Sequence, residues 1–185
     1  MDHWGVRPDV LTAGKGSTSG YLPFGFAACS GEVFEAVRER GFVHGFTWSH
    51  NGVGAAVAHA ALRRLTEADL VDAAARQGER LLKGLSAALH DDPIVGDVRG
   101  IGLMIGIELV SERGSKAPFP RSDQVTERVL AAARDEGLLL YSSTGHVDGD
   151  GDLLMLGPPF VIADDECDQV VERTAAAIAS VSTRR

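Results

Sequence analysis

At 91-DDP-93 the spacing of the apolar residues changes, and that change constrains the fold more than any other feature of the sequence. Before it, Leu70, Ala74, Leu81, Leu85 and Leu89 recur at helical spacing, one apolar stripe that runs through to His90. After it, Ile94 to Val98 and Gly102 to Val110 read as two strands joined through Arg99 and Gly100. A chain that switches period in this way needs both helices and a sheet, so the expected fold class is α/β. With 185 residues, 44% of them hydrophobic, it can bury about 70% of its unfolded surface.

Other elements follow from local punctuation. Val10-Leu11-Thr12, between Pro8 and Gly14, is predicted as a buried strand whose C-terminal end delivers Lys15 to a loop, the place where ligands of α/β sheets gather. Ser30 caps a predicted helix from Gly31 to Arg40 that buries Val33, Phe34 and Val37 and stops at Gly41. Residues 51–65 are alanine-rich and helical, and Thr66 with Asp69 resembles a capping box for the next helix. Ser122 opens a further helix, with Val125, Val129 and Ala132 inward and Gly137 at its end. Leu138 to Tyr141 and Leu153 to Leu156 read as strands, and a last helix starts near Asp164. A seam is expected between residues 65 and 90, separating an incomplete first unit from an α+β second unit. The first unit is incomplete because residues 1–65 scarcely provide the neighbours that a parallel sheet needs.

Charge and composition narrow the partners. A formal net charge of -8 argues against nucleic acid or an anionic membrane surface. The longest apolar stretches are of strand length, short of the roughly 20 residues that span a bilayer, and MDHWGVRPDV lacks the basic and apolar regions of a signal peptide. Cys29 and Cys167 are too few and too far apart for a disulfide framework, which points to a reducing cytoplasm. The histidines show no H-x-x-x-H pairing, so no metal site is expected. In 148-DGDGD-152 a calcium loop is refused by Leu153 and Pro159, which occupy its glycine and glutamate positions, leaving a strand-connecting turn. In 100-GIGLMIG-106 the glycine spacing differs from that of a dinucleotide loop, and the segment continues as an apolar strand into Glu108.

Two stretches hold candidate chemistry. Lys15 sits between two glycines, but a P-loop fails at Asp9 and Gly16. It is either a surface lysine in a turn or an amine held at a strand end, where glycines let a planar ligand approach the backbone and the amine can form a Schiff base. In 44-HGFTWSHNGVGAA-56, Thr47, Ser49 and Asn51 precede a helix start, an arrangement that serves ordinary capping and a phosphate seat equally.

Taken together, TAGKGSTSGYLPFG, HGFTWSHNGVGAA, VGDVRGIGLMIGIELV and GDLLMLGPPFVIADDECD resemble, in order and spacing, the class III (omega-type) aminotransferases, pyridoxal-phosphate enzymes of fold type I. The resemblance implies that residues 1–75 are the C-terminal part of a large cofactor-binding domain, incomplete here, and that residues 76–185 are the small α+β C-terminal domain that closes over the substrate. It puts Lys15 at the Schiff-base lysine that anchors pyridoxal 5'-phosphate and shuttles a proton between the substrate carbon and the cofactor's C4′. Thr47 stands at the threonine that hydrogen-bonds the cofactor phosphate of the neighbouring subunit, which implies a homodimer. The implied reaction moves an amino group from an amine or amino acid to a 2-oxo acid.

The sequence also departs from the family. Members are considerably longer, and their aspartate that pairs with the pyridine nitrogen, Gly/Ser phosphate loop and stacking aromatic have no counterpart here; without that aspartate transamination should be crippled. Gly52 stands where a proline is frequent. Met155 stands where many members place an arginine before the Pro-Pro pair, and no lysine or arginine occurs between Arg134 and Arg173, which removes a bidentate carboxylate clamp from this segment. Arg99 matches a family arginine that is either structural or substrate-facing. Three other readings stay open: an aminomutase or decarboxylase sharing the lysine, a C-terminal fragment or split subunit that needs an N-terminal complement, and a phosphate- or nucleotide-binding module, which the failed P-loop disfavours.

Overall fold

A computed structural model describes residues 2–183. The chain divides into two units, Met1–Asp69 and Leu70–Arg185, and together they are of the mixed α/β class the sequence predicts.

In the first unit, β1 (Val10–Ala13) pairs antiparallel with β2 (Phe26–Cys29), with Val10 opposite Cys29 and Ala13 opposite Phe26. A single 3-10 turn, Lys15–Thr18, follows β1. Helix α1 (Gly31–Arg40) begins as predicted, with the Val33 amide donating to the Ser30 hydroxyl at 3.4 Å, and ends at Gly41. Helix α2 (Gly52–Glu67) is capped by Asn51, whose side-chain oxygen accepts from the Gly54 amide at 3.0 Å. Two expectations are corrected here. The strand holding Val10 is not buried, for Val10 is 52% exposed, and α1 buries none of its residues. The cause is the same for both: within this unit a two-stranded sheet offers no layer broad enough to cover them. The expected capping role of Thr66 is also lost, because its hydroxyl donates back to the Arg63 carbonyl at 2.9 Å inside α2. The break to the next helix comes at Asp69, in the left-handed region with φ 48°.

The second unit carries α3 (Leu70–Ala88), β3 (Val95–Ile101), β4 (Met104–Leu109), α4 (Val125–Asp135), β5 (Tyr141–Val147), β6 (Asp150–Leu156) and α5 (Asp164–Ser182). Its four strands pair antiparallel in the order β3-β4-β6-β5. Alternation sends Ile105, Ile107 and Leu109 of β4, with Leu154 and Leu156 of β6, into one core with Leu81 and Leu85 of α3, Val129 of α4 and Ile178 of α5. Each such fully buried side chain contributes roughly 1.5–3 kcal/mol. Helix α3 lies so close to the β3–β4 turn that a Cβ on Gly78 would fall 2.1 Å from the Gly102 carbonyl oxygen.

That turn is at Gly102-Leu103, where Gly102 has φ 54°, and not at Arg99-Gly100, which continue β3 and pair with Gly106 and Ile105. Ser122 does not open α4. Its start is held from β6 instead, where the buried Asp152 carboxylate accepts from the Thr126 amide at 3.0 Å and the Thr126 hydroxyl at 2.6 Å, with an Arg121 nitrogen at 3.4 Å. Strand β5 begins at Tyr141 and not at Leu138, and the acidic run lies at the β5–β6 hairpin, with Asp148 and Gly149 both at positive φ. Helix α5 starts at Asp164 as predicted, and Arg80 of α3 reaches across to Asp164 and Asp168.

Candidate active site

Lys15 stands two residues past the end of β1, after Gly14, and opens the 3-10 turn in the left-handed conformation, φ 49°. Few side chains adopt that conformation, since Cβ crowds the backbone there. The side chain is exposed, and among the described residues no carboxylate forms a salt bridge with it. Beside it the backbone is open, because a Cβ on Gly16 would meet nothing within 4 Å.

The loop that follows is a tied structure. Ser17 N–H donates to the Gly14 carbonyl at 3.1 Å, Ser19 N–H to Gly16 at 3.0 Å and Tyr21 N–H to Thr18 at 3.1 Å. Two hydroxyls close it further: Ser17 donates to the Phe24 carbonyl at 3.3 Å and Thr18 to the Leu22 carbonyl at 2.6 Å. Thr18 is fully buried. The Phe24 ring then packs on α2 at Gly54, where an added Cβ would lie 2.3 Å from ring Cδ2. Sequence reasoning read this stretch as a loop of small residues and missed Thr18. The available signal was the hydroxyl pair Ser17-Thr18 ahead of Leu22-Pro23, which can return a turn onto itself.

Thr47 lies in a turn over residues 47–50 and is exposed. Asn51 alone does the capping that Ser49 and Asn51 could have shared, and the Ser49 amide closes the turn onto the Phe46 carbonyl at 2.9 Å. Around this turn an apolar groove of about 830 Å³ is lined by Phe24, Phe42, Phe46, Trp48, Asn51 and Gly52, among others. Neither Lys15 nor Thr47 lines it, so the two predicted site residues are not gathered in that groove.

In the second unit, Met155 lines a separate groove of about 610 Å³ with Leu139, Tyr141, Pro158 and Pro159. No lysine or arginine lines that groove. Arg99 places one guanidinium nitrogen 2.8 Å from Asp97 and 2.7 Å from Glu108, and these two hydrogen-bonded carboxylates, Glu108 above all, raise its pKa further above the ordinary arginine value. Of its two open roles, the ion pairs supply the structural one. Among the described residues no cluster of His, Cys, Asp and Glu could hold a metal, and no helix is long and apolar enough to cross a membrane.

Comparison with known proteins identifies the family. The family described as Aminotransferase class-III matches residues 1–178. The chain belongs to that family. The uncharacterized aminotransferase YodT of Bacillus subtilis is 32% identical over 183 residues, covering 97% of this chain and 41% of YodT. The diaminobutyrate–2-oxoglutarate transaminase of Halomonas elongata is 33% identical over 185 residues, covering 97% of this chain and 38% of that protein. Among solved structures, a transaminase from the marine bacterium Virgibacillus superposes with a TM-score of 0.91 at 35% identity, over 99% of this chain and 41% of that one. An (S)-enantioselective omega-transaminase from Thermomicrobium roseum gives 0.87 at 38% identity, over 98% and 39%. The chain thus spans about two fifths of the length of these relatives, matching their C-terminal part.

Class III aminotransferases use pyridoxal phosphate. That group needs an amine for its aldehyde and donors for its phosphate. The exposed Lys15 amine beside open backbone meets the first need, and the exposed Thr47 hydroxyl can serve the second.

Proposed function

We propose that this polypeptide forms part of a pyridoxal-phosphate-dependent aminotransferase that moves an amino group from an amine or amino acid to a 2-oxo acid. The observation that carries this reading is Lys15: an exposed amine without a salt bridge among the described residues, projecting from a left-handed backbone at a strand end in a chain of this family. When bound, the cofactor supplies the electron sink for the bond broken at the substrate carbon. Lys15 would attach that group through its ε-amine and, once the substrate's own amine has displaced it, the freed amine would take the proton that leaves the substrate carbon and return it, as general base and then acid. The Thr47 hydroxyl donates to a phosphate oxygen in the site of a neighbouring copy, which makes the active assembly a homodimer. Residues 1–75 belong in this reading to the large domain and 76–185 to the small domain, and the cytoplasm is the assigned location. The Met155 groove, which no lysine or arginine lines, supports a donor whose carboxylate is not gripped by this segment.

The test is chemical. The chain is incubated with pyridoxal phosphate, reduced with borohydride and mapped by mass spectrometry. Lys15 should be labelled in preference to Lys83 and Lys116, and Lys15→Ala should abolish the excess. Equal labelling of all three lysines overturns the reading.

A second reading, a split subunit that needs an N-terminal complement, is favoured by the absence of Lys15 and Thr47 from the apolar groove of the first unit. Its signature is preferential labelling of Lys15 only after a polypeptide equivalent to the remainder of a relative is added.

A further inference from the structure

We propose that Thr18 is a positioning residue for Lys15, its buried hydroxyl holding closed the turn from which the lysine projects. This rests on the reading of Lys15 as the attaching amine. Two residues of the turn, Lys15 and Ser19, sit in the left-handed region with φ 49° and 51°, so the free chain would relax away from it. Thr18 lies between them and works in both directions. Its carbonyl accepts from the Tyr21 amide at 3.1 Å, and its hydroxyl donates to the Leu22 carbonyl at 2.6 Å, so residues 18–22 are closed by two bonds. The Lys15 carbonyl oxygen stands 3.5 Å from the same hydroxyl. No solvent reaches Thr18, which is 0% exposed, so water cannot replace a lost bond. If the turn opens, Lys15 leaves the left-handed region and its Cα–Cβ bond changes direction. An error at the backbone is then carried along the whole side chain to the ε-nitrogen, where near-attack geometry is most sensitive to it.

Thr18→Val keeps the shape and deletes the hydroxyl, while Thr18→Ser keeps the hydroxyl. Two measurements on the full chain separate positioning from general loss of structure. In limited trypsinolysis, Thr18→Val should accelerate cleavage after Lys15 roughly tenfold, the effect of one buried hydrogen bond. Cleavage after Arg38 and Arg63, in α1 and α2, should not change, and Thr18→Ser should behave as wild type. In borohydride trapping with pyridoxal phosphate, Thr18→Val should lower the ratio of labelling at Lys15 to that at Lys83 by about threefold or more, again with rescue by serine. Faster cleavage at all sites alike, or an unchanged labelling ratio, overturns the positioning role. A wild-type chain that labels Lys15 no faster than Lys83, both alone and with a polypeptide equivalent to the remainder of a relative added, instead removes the Lys15 reading itself, and the inference with it.

Discussion

Among the described residues the first unit buries one apolar side chain, Ala58, while the second holds a continuous core from Leu81 to Val181. The first unit exposes Phe42, Phe46 and Trp48 and shapes itself largely by directed polar bonds: Ser30 and Asn51 at helix starts, Ser17 and Thr18 in the lysine turn. Such bonds contribute only about 0.5–1.5 kcal/mol each, against roughly 1.5–3 kcal/mol for each buried core side chain. They fix where a side chain points better than they resist unfolding. The candidate lysine therefore stands on the part of the molecule where geometry is specified by hydrogen bonds and stability by little else within that unit.

The largest effects should follow burial. Leu85→Ala, at a position that is 0% exposed, should cost about 2–5 kcal/mol in urea unfolding. Phe42→Ala, at a ring that is 74% exposed, should stay within about 0.5 kcal/mol. Similar losses at both positions would erase the contrast. A smaller effect tests a tight contact of the first unit: Gly54→Ala drives a methyl into the Phe24 ring and should cost about 1–3 kcal/mol. It would be read from faster hydrogen exchange in α2, and adding Phe24→Ala should recover most of the loss.

The smallest concerns pH and sharpens the comparison from the other side. The Arg80 guanidinium hydrogen-bonds the Asp168 carboxylate and holds its pKa below the ordinary aspartate value. A depressed native pKa means that the unfolded chain binds more protons over that interval. The pair therefore stabilises the second unit at pH above the usual aspartate range, and that contribution disappears as pH falls through the native pKa. The pair is exposed, so the shift should be small. The gap in thermal midpoint between wild type and Asp168→Asn should be largest near neutrality and close as pH drops below the native pKa of Asp168. A gap that is unchanged in acid would assign the difference to something other than this charge.

Much of this was legible in the chain. Helix α1 begins where Ser30 says it should and ends at Gly41, because caps and glycine stops act within one turn of sequence, and α5 begins at Asp164 as expected. The family was legible from four stretches in the right order, and the match over residues 1–178 agrees. What escaped depends on partners distant in sequence. Strand β2, Phe-Ala-Ala-Cys, has no alternation of its own and exists by pairing with β1. Arg99 looked like a turn residue, yet Asp97 and Glu108 accept its charge on the ladder. Asp152 caps a helix that starts well before it in sequence, and no local pattern announces that. Lys15 and Thr47 can be named as residue types that suit the chemistry, but what completes the space around them is not written in their neighbours.

The strand order β3-β4-β6-β5 also dictates when the second unit can form during synthesis. The β3–β4 hairpin is local and can close as soon as it emerges. The other edge of β4 must wait for β6, which arrives after α4 and β5 have been made, at roughly 5–20 residues per second on the ribosome. Until Leu156 is out, β4 presents an unpaired edge and the apolar row Ile105, Ile107 and Leu109 without its strand neighbour. The nascent chain is most open to wrong pairing in that interval, and slowing translation there would lengthen the exposure.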